Sequence, residues 1–448
     1  MARLKLRILE ARREKRPLRV VVLGPSNVVG VGCINHNNGK PGHFAWPDVL
    51  QNLSNFQGAP LELQVKNAAR RATPFEQWPQ IFRDSHVNQS VDLVVVDWAI
   101  TAINFPLMRH QAMLLEAHLR SWERPAALVF FETVCGNCIK KIQDAGTVES
   151  LCGFAAAMDD NDPFYAALKA LHIPALSYPD IACAMPRFTG SSKSKNRIPH
   201  LHAYRSEAEH HFGCGVHLIT AQAVYALFHS VFRETCLLGF EESYKTAKAS
   251  DAALQAKAKP EAMPKQQRCV MDAEYTLPYY ERDQSNVNRL CFPAFVGSRS
   301  AWKYGADRPT KLGWIANWEP EKGKGEILPL CVLPREWQSL ANDAQFTELP
   351  ASDVVFLVKA GKLGMVLVDY LSTYNNIGSV SCRVETLHGV ALSPLTKIDG
   401  LWSRRASLSS QAALEVDLSK TGGPQEKFWA LRCQSDGKKF RIISVSSC

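Results

Sequence analysis

The chain has no run of the roughly 18 apolar residues that a bilayer-spanning helix needs. Residues 1–15 alternate basic and apolar side chains and lack the apolar core of a secretory signal peptide. No internal repeat is present. A dinucleotide-binding turn is absent too: Gly24, Gly30 and Gly32 supply glycines, but Pro25 directly after Gly24 breaks the Gly-x-Gly-x-x-Gly pattern. Cys135 and Cys138 form one Cys-x-x-Cys pair with no second pair at a zinc-like interval, which leaves a local disulfide or free thiols. Basic residues do not interleave with aromatic ones as on a nucleic-acid surface. The expectation is a globular chain with no transmembrane segment, no nucleic-acid partner, no metal and no cofactor.

What is present suits that expectation. The 448 residues are 46% hydrophobic and 21% charged, enough for two or three domains with real cores. The net charge is +9, and only residues 3–19 concentrate basic side chains. That cluster reads as a solvated basic tail, with anionic lipid or glycan as an alternative contact. The 13 cysteines leave the compartment open. With no signal peptide visible the chain reads as cytoplasmic. If its N-terminus is incomplete, the secretory pathway or the extracellular space fits instead, and the sequons at Asn52 and Asn88 then matter.

From residue 19 to about residue 232, strand and helix patterns alternate. Apolar runs at residues 19–23, 61–66, 91–96 and 126–131 read as strands. Helical stripes run through Val49, Leu50, Leu53 and Phe56, through Leu107, Leu114, Leu115, Leu119 and Trp122, through Phe164, Leu168 and Leu171, and through residues 217–232. Strands separated by helices imply parallel crossovers and a three-layer α/β domain. Residues 243–267 are rich in Ala, Lys and Pro and read as a linker, helical in part. Beyond Cys269, short strand-like runs at 354–357, 365–371, 379–387, 414–418, 428–431 and 440–445 argue an all-β sandwich. Trp302, Trp314 and Trp318 suit either its core or stacking on sugar rings. The resulting plan is a basic segment at 1–17, an α/β domain at 18–235, a linker at 236–268 and a β-sandwich at 269–448. Asp159, Asp160 and Asp162 suit a helix-capping loop better than a cation site.

The α/β domain is organised around residues 19–27. A β-branched run buried on both faces ends in Gly24-Pro25-Ser26-Asn27. Ser26 fits two roles there: a helix N-cap, or a nucleophile at the crevice where α/β sheets place their sites. A serine hydroxyl needs a histidine within hydrogen-bond reach, and His200, His202, His210, His211 and His217 crowd the stretch before the last helix.

These residues resemble the blocks of the SGNH (GDSL-like) hydrolases over roughly residues 18–233. Gly24-Pro25-Ser26-Asn27 is similar to the first block, with Pro in place of Asp. Trp46-Pro47 before an amphipathic helix looks like what many members carry next. Asn67-Ala68-Ala69-Arg70-Arg71-Ala72-Thr73 resembles the second block, with Ala72 at the position whose backbone N–H serves the oxyanion. In the third block the oxyanion asparagine falls on Thr101, with Asn104 three residues on. In the fourth, the spacing to His217 makes His211 the base, and Glu207 and Glu209 flank the position of the orienting acid. An alternative register uses His217 as the base and puts Cys214 in the acid position. The resemblance implies a flavodoxin-like parallel sheet and a serine esterase or O-acyltransferase. Its substrate is then an acylated small molecule or glycan, acetyl on a carbohydrate above all. A catalytically inactive relative, acting as a glycan-binding or interaction module, is the alternative.

Overall fold

A computed structural model describes residues 1–30, 45–55, 61–70, 75–97, 105–132, 168–177, 214–257, 265–272, 294–306, 312–320, 326–328, 346, 348–402, 407–421 and 427–448. The chain divides into two compact units, Met1–Met263 and Pro264–Cys448.

In the first unit, β1 (Leu18–Leu23), β2 (Leu63–Asn67), β3 (Leu93–Val96), β4 (Ala127–Glu132) and β5 (Ala175–Ser177) form one sheet in the order β2-β1-β3-β4-β5. Each printed pairing within it is parallel. The helices are α1 (Ala2–Arg13), α2 (Ser26–Val29), α3 (Trp46–Ser54), α4 (Trp78–Asp84), α5 (Phe105–Arg120), α6 (Cys214–Leu238) and α7 (Phe240–Lys257). On one face of the sheet, Val20, Val22, Leu93, Val95, Val129 and Phe131 share a core with Leu4 and Ile8 of α1, Trp46 and Leu50 of α3, and Val224 and Phe228 of α6. On the other, Phe75 stands edge-on to Phe130 with ring centroids 5.7 Å apart, and α5 packs on β4. The strands are apolar on both sides because both faces are covered. This is the expected three-layer α/β architecture. β2 lies at the sheet edge, where Gln51 covers its open backbone: the carboxamide donates to Leu63 O (2.6 Å) and accepts from the Val65 N–H (2.6 Å).

Two expectations need correction. The basic N-terminal segment is not a solvated tail but helix α1, with Leu4, Ile8 and Leu9 buried. Its arginines have partners far along the chain. Arg3 bonds Glu116 and Asp251, each at 3.0 Å, and the Arg12 guanidinium lies 4.2 Å from the Phe232 ring centroid. The stretch read as a linker at 236–268 is helix over most of its length. α7 packs on α1, with Ala247, Phe240 and Tyr244 against Leu6 and Leu9. Among the described residues, Cys214–Thr235 of α6 meets the length and composition of a membrane span only marginally, which leaves the expectation of no transmembrane segment in place. Its apolar side, Val216, Ala221, Val224, Phe228, Val231 and Phe232, is buried in the α/β core. Residues 135, 138 and 159–162, and residues 164–167 of the helix expected near 164–171, lie outside the described residues; 168–170 are helical.

In the second unit, β6 (Phe295–Val296), β10 (Asp353–Lys359), β12 (Ser379–Glu385), β13 (Thr396–Asp399) and β15 (Phe428–Ser435) make a five-stranded sheet in the order β13-β12-β15-β10-β6. A six-stranded sheet holds β7 (Trp302–Ala306), β8 (Leu312–Ala316), β9 (Glu326–Ile327), β11 (Met365–Ser372), β14 (Leu408–Glu415) and β16 (Phe440–Ser447), in the order β14-β11-β16-β8-β7-β9. Neighbours are antiparallel, and Val354, Phe356, Val384 and Leu431 of one sheet face Trp314, Val366, Val368 and Ile442 of the other. This is the expected β-sandwich. Trp302, Trp314 and Trp318 are buried, so these three side chains serve packing and not sugar stacking. The strand expected at 414–418 lies earlier, at Leu408–Glu415, and Leu418–Lys420 is a 3₁₀ turn. Helix α8 (Lys265–Asp272) opens the unit, and its Cys269 is disulfide-bonded to Cys448. A second disulfide joins Cys382 of β12 to Cys433 directly opposite on β15.

Candidate active site

Parallel strands bring all their C-terminal ends to one side of a sheet. In the order β2-β1-β3-β4-β5 the chain leaves β1 toward both neighbours, so a crevice opens between the ends of β1 and β3. Ser26 follows β1 at that point, and Asp97 follows β3.

Backbone bonds draw the three strand ends together beyond the strands themselves. The Asp97 N–H donates to Leu23 O (2.9 Å), the Ala68 N–H to Val22 O (2.9 Å) and the Arg70 N–H to Gly24 O (2.9 Å). Residue 24 has to be glycine for space: a Cβ there would lie 2.2 Å from Val28 Cγ2 and 2.6 Å from Asp97 O. The chain then turns at once into α2. Pro25 O accepts from the Val28 and Val29 N–H groups at 3.1 and 3.2 Å, so Pro25 holds the cap position and Ser26 is the first helical residue. The N-cap role considered for Ser26 therefore falls to Pro25. The Ser26 side chain is half-buried, and Asp97 and Arg70, beyond the ends of β3 and β2, are buried.

The N-terminus of α6 joins the same side of the sheet through α3. The Trp46 N–H donates to His217 Nδ1 at 3.2 Å, and both residues are buried. His217 is thus an acceptor that fastens the first turn of α6 to the first turn of α3. Trp46 in turn lies 6.1 Å from Phe131 between ring centroids. Cys214, at the start of α6, is disulfide-bonded.

Of the residues singled out from the sequence, Ser26 and His217 are described. Ala72, Thr101, Asn104, Glu207, Glu209 and His211 lie outside the described residues. The described neighbours of Ala72 and Thr101, Arg70 and Asp97, flank the Ser26 turn. The need for glycine at position 24 and the buried Asp97 went unread in the sequence. The two-residue strand-to-helix turn Gly24-Pro25 is the available clue to the first. A titratable residue elsewhere has a displaced pKa: His118 on α5 sits among Trp78, Phe82 and Trp122, and burial lowers it to about 4.

No family model matches the chain, and no curated protein matches it. Solved structures do. A two-domain esterase active on acetylated mannans, co-crystallised with mannopentaose, is 13% identical over 100% of this chain and 96% of its own, with a TM-score of 0.45. The psychrotrophic esterase EstA from Pseudoalteromonas sp. is 11% identical over 48% of this chain and 99% of its own, with a TM-score of 0.31. The lipase/acylhydrolase from Enterococcus faecalis is 11% identical over 55% of this chain and 99% of its own, with a TM-score of 0.29. The solved structures similar to this chain thus include esterases, all three of these at low sequence identity.

Proposed function

We propose that the chain is a serine esterase or O-acyltransferase of the SGNH type, acting on O-acyl groups, acetyl above all, of a carbohydrate. The observation that carries the reading is the position of Ser26: first residue of α2, half-buried, at the crevice between the ends of β1 and β3. In the proposed mechanism Ser26 Oγ attacks the ester carbonyl carbon while His211 takes the hydroxyl proton. Glu207 or Glu209 orients the imidazole and stabilises its charged form. The oxyanion is met by the Ala72 N–H and by the side chain of Thr101, or of Asn104 in its place. The intermediate collapses, His211 gives its proton to the departing sugar hydroxyl, and the acyl group stays on Ser26. Water then releases it in a hydrolase, and a second hydroxyl takes it in a transferase. The substrate class is one on which the two-domain esterase described above is active. The two disulfides of the β-sandwich support an oxidising compartment for the folded chain.

The test is acetate release from p-nitrophenyl acetate and from an acetylated glucomannan. Turnover by the native chain that falls to background in Ser26→Ala, with the melting curve nearly unchanged, is the expected result. No turnover by the native chain on either substrate favours the non-catalytic alternative, and Ser26→Ala at full rate removes Ser26 from the reaction.

A further inference from the structure

Besides the Arg70 N–H bond to Gly24 O, a side chain fastens the Ser26 turn to the end of β2. Asn67 is the last residue of β2 and is half-buried. Its Nδ2 donates to Val28 O at 3.1 Å, and its Oδ1 accepts from the Ala69 N–H at 3.1 Å. The first bond reaches across β1 to α2. That helix is a single turn, so the carbonyl of Val28 has no acceptor role left within it, and a side-chain donor fixes its orientation. The second bond is an Asx-type turn that bends the chain immediately after β2. One planar carboxamide therefore joins the Arg70 N–H bond to Gly24 O in setting the spacing between the helix that begins at Ser26 and the turn that follows β2.

We infer that Asn67 is a positioning residue for the acyl-transfer site, holding the helix that begins at Ser26 in place against the turn that follows β2. This rests on the proposed esterase reading, in which Ser26 attacks and Ala72 donates. Asn67 does not touch the reacting atoms in this assignment. It acts through Val28 and Ala69. Two chemically different halves of the amide do the two tasks, which makes them separable. Asn67→Asp keeps an acceptor for the Ala69 N–H and loses the donor to Val28 O. Asn67→Ala loses both.

The experiment uses the full chain, with each preparation titrated by a fluorophosphonate probe so that turnover is counted per reactive serine. Displacing a reacting group by about an ångström costs up to about 100-fold in rate. Both variants are expected to lose about 10- to 100-fold in kcat per titrated site, with KM for p-nitrophenyl acetate changed less than about twofold. A purely structural Asn67 lowers the titrated fraction and the melting temperature but leaves kcat per titrated site at the native value, and that result overturns the inference. Hydrogen exchange of the amides of Val28 and Val29 supplies a readout that needs no activity. Faster exchange there in Asn67→Asp and Asn67→Ala, with β4 unchanged, shows the clamp, and unchanged exchange refutes it. A native chain that never reacts with the probe strikes at the esterase reading and leaves the exchange result to judge the clamp.

Discussion

Adding one methyl group at residue 24 tests the geometry of the site more sharply than removing a functional group. In Gly24→Ala the new Cβ would lie 2.2 Å from Val28 Cγ2, 2.8 Å from Val28 Cβ and 2.6 Å from Asp97 O. Carbon atoms in contact normally sit about 3.5–4.0 Å apart, so Val28 has to retreat by more than about an ångström. The Asp97 carbonyl cannot retreat with it. The Asp97 N–H is bonded to Leu23 O, and β3 is paired to both β1 and β4. Val28 is itself buried, and its carbonyl is held by Asn67. The displacement therefore falls on α2, whose first residue is Ser26. Overpacking of this kind costs about 1–3 kcal/mol. In a unit the size of Met1–Met263 that lowers the melting midpoint by about 2–10 °C. If Ser26 is the nucleophile as proposed, a shift of about an ångström there lowers turnover up to about 100-fold. The assay pairs differential scanning fluorimetry with p-nitrophenyl acetate turnover on the full chain. Val28→Ala in the Gly24→Ala background removes the clash with Val28 Cγ2 but keeps those with Val28 Cβ and Asp97 O, so it restores only part of the loss. A Gly24→Ala protein with native melting and native turnover refutes the close approach of β1, α2 and the end of β3.

Further outcomes follow from other parts of the molecule. His211→Ala is expected to lower turnover about 100- to 10,000-fold, the usual weight of a general base. His217→Ala instead leaves the buried Trp46 N–H without its acceptor and costs about 1–3 kcal/mol of stability, read as a lower melting temperature with turnover largely kept. His118 is held neutral in the fold, with a pKa lowered to about 4, and it titrates near 6.5 once unfolded. The unfolded chain therefore binds the extra proton between those values. The contribution of His118 is complete above about pH 6.5 and falls away toward pH 4, on the order of 3 kcal/mol in all. In His118→Phe the decline of melting temperature over that range is shallower, and an identical pH dependence in the variant contradicts the assignment. A fragment of residues 264–448 is expected to fold alone with a β-type circular dichroism spectrum. Replacing both Cys269 and Cys448 by Ser in it costs about 2–5 kcal/mol, measured by urea unfolding.

Much of the architecture is legible in short stretches of sequence. β1, β3 and β4 are runs of apolar residues buried on both faces, and nothing but a covered parallel sheet accommodates them. The turn that carries Ser26 is equally local. What local pattern misses is partnership over distance. The arginines of α1 look solvated until Glu116 and Asp251 arrive from more than a hundred residues away. α7 looks like a linker because small residues such as Ala247 make its contact with Leu6 and Leu9. β7 and β8 go unread because Gly305 and Gly313 dilute their pattern. Those glycines allow close approach: a Cβ on them would meet Glu326 O at 2.2 Å and Ile442 O at 2.6 Å. At the site, the proposed nucleophile Ser26 follows from one turn. The clamp by Asn67 joins two segments 39 residues apart and has no sequence pattern of its own.

The central claim is that Ser26 is the nucleophile, and covalent labelling tests it most directly. A fluorophosphonate probe reacts with the full chain at neutral pH, and the modified peptide is mapped by mass spectrometry. The account predicts a single stoichiometric adduct on Ser26, absent from Ser26→Ala. An adduct on another serine, or an unlabelled chain that still hydrolyses p-nitrophenyl acetate, contradicts it.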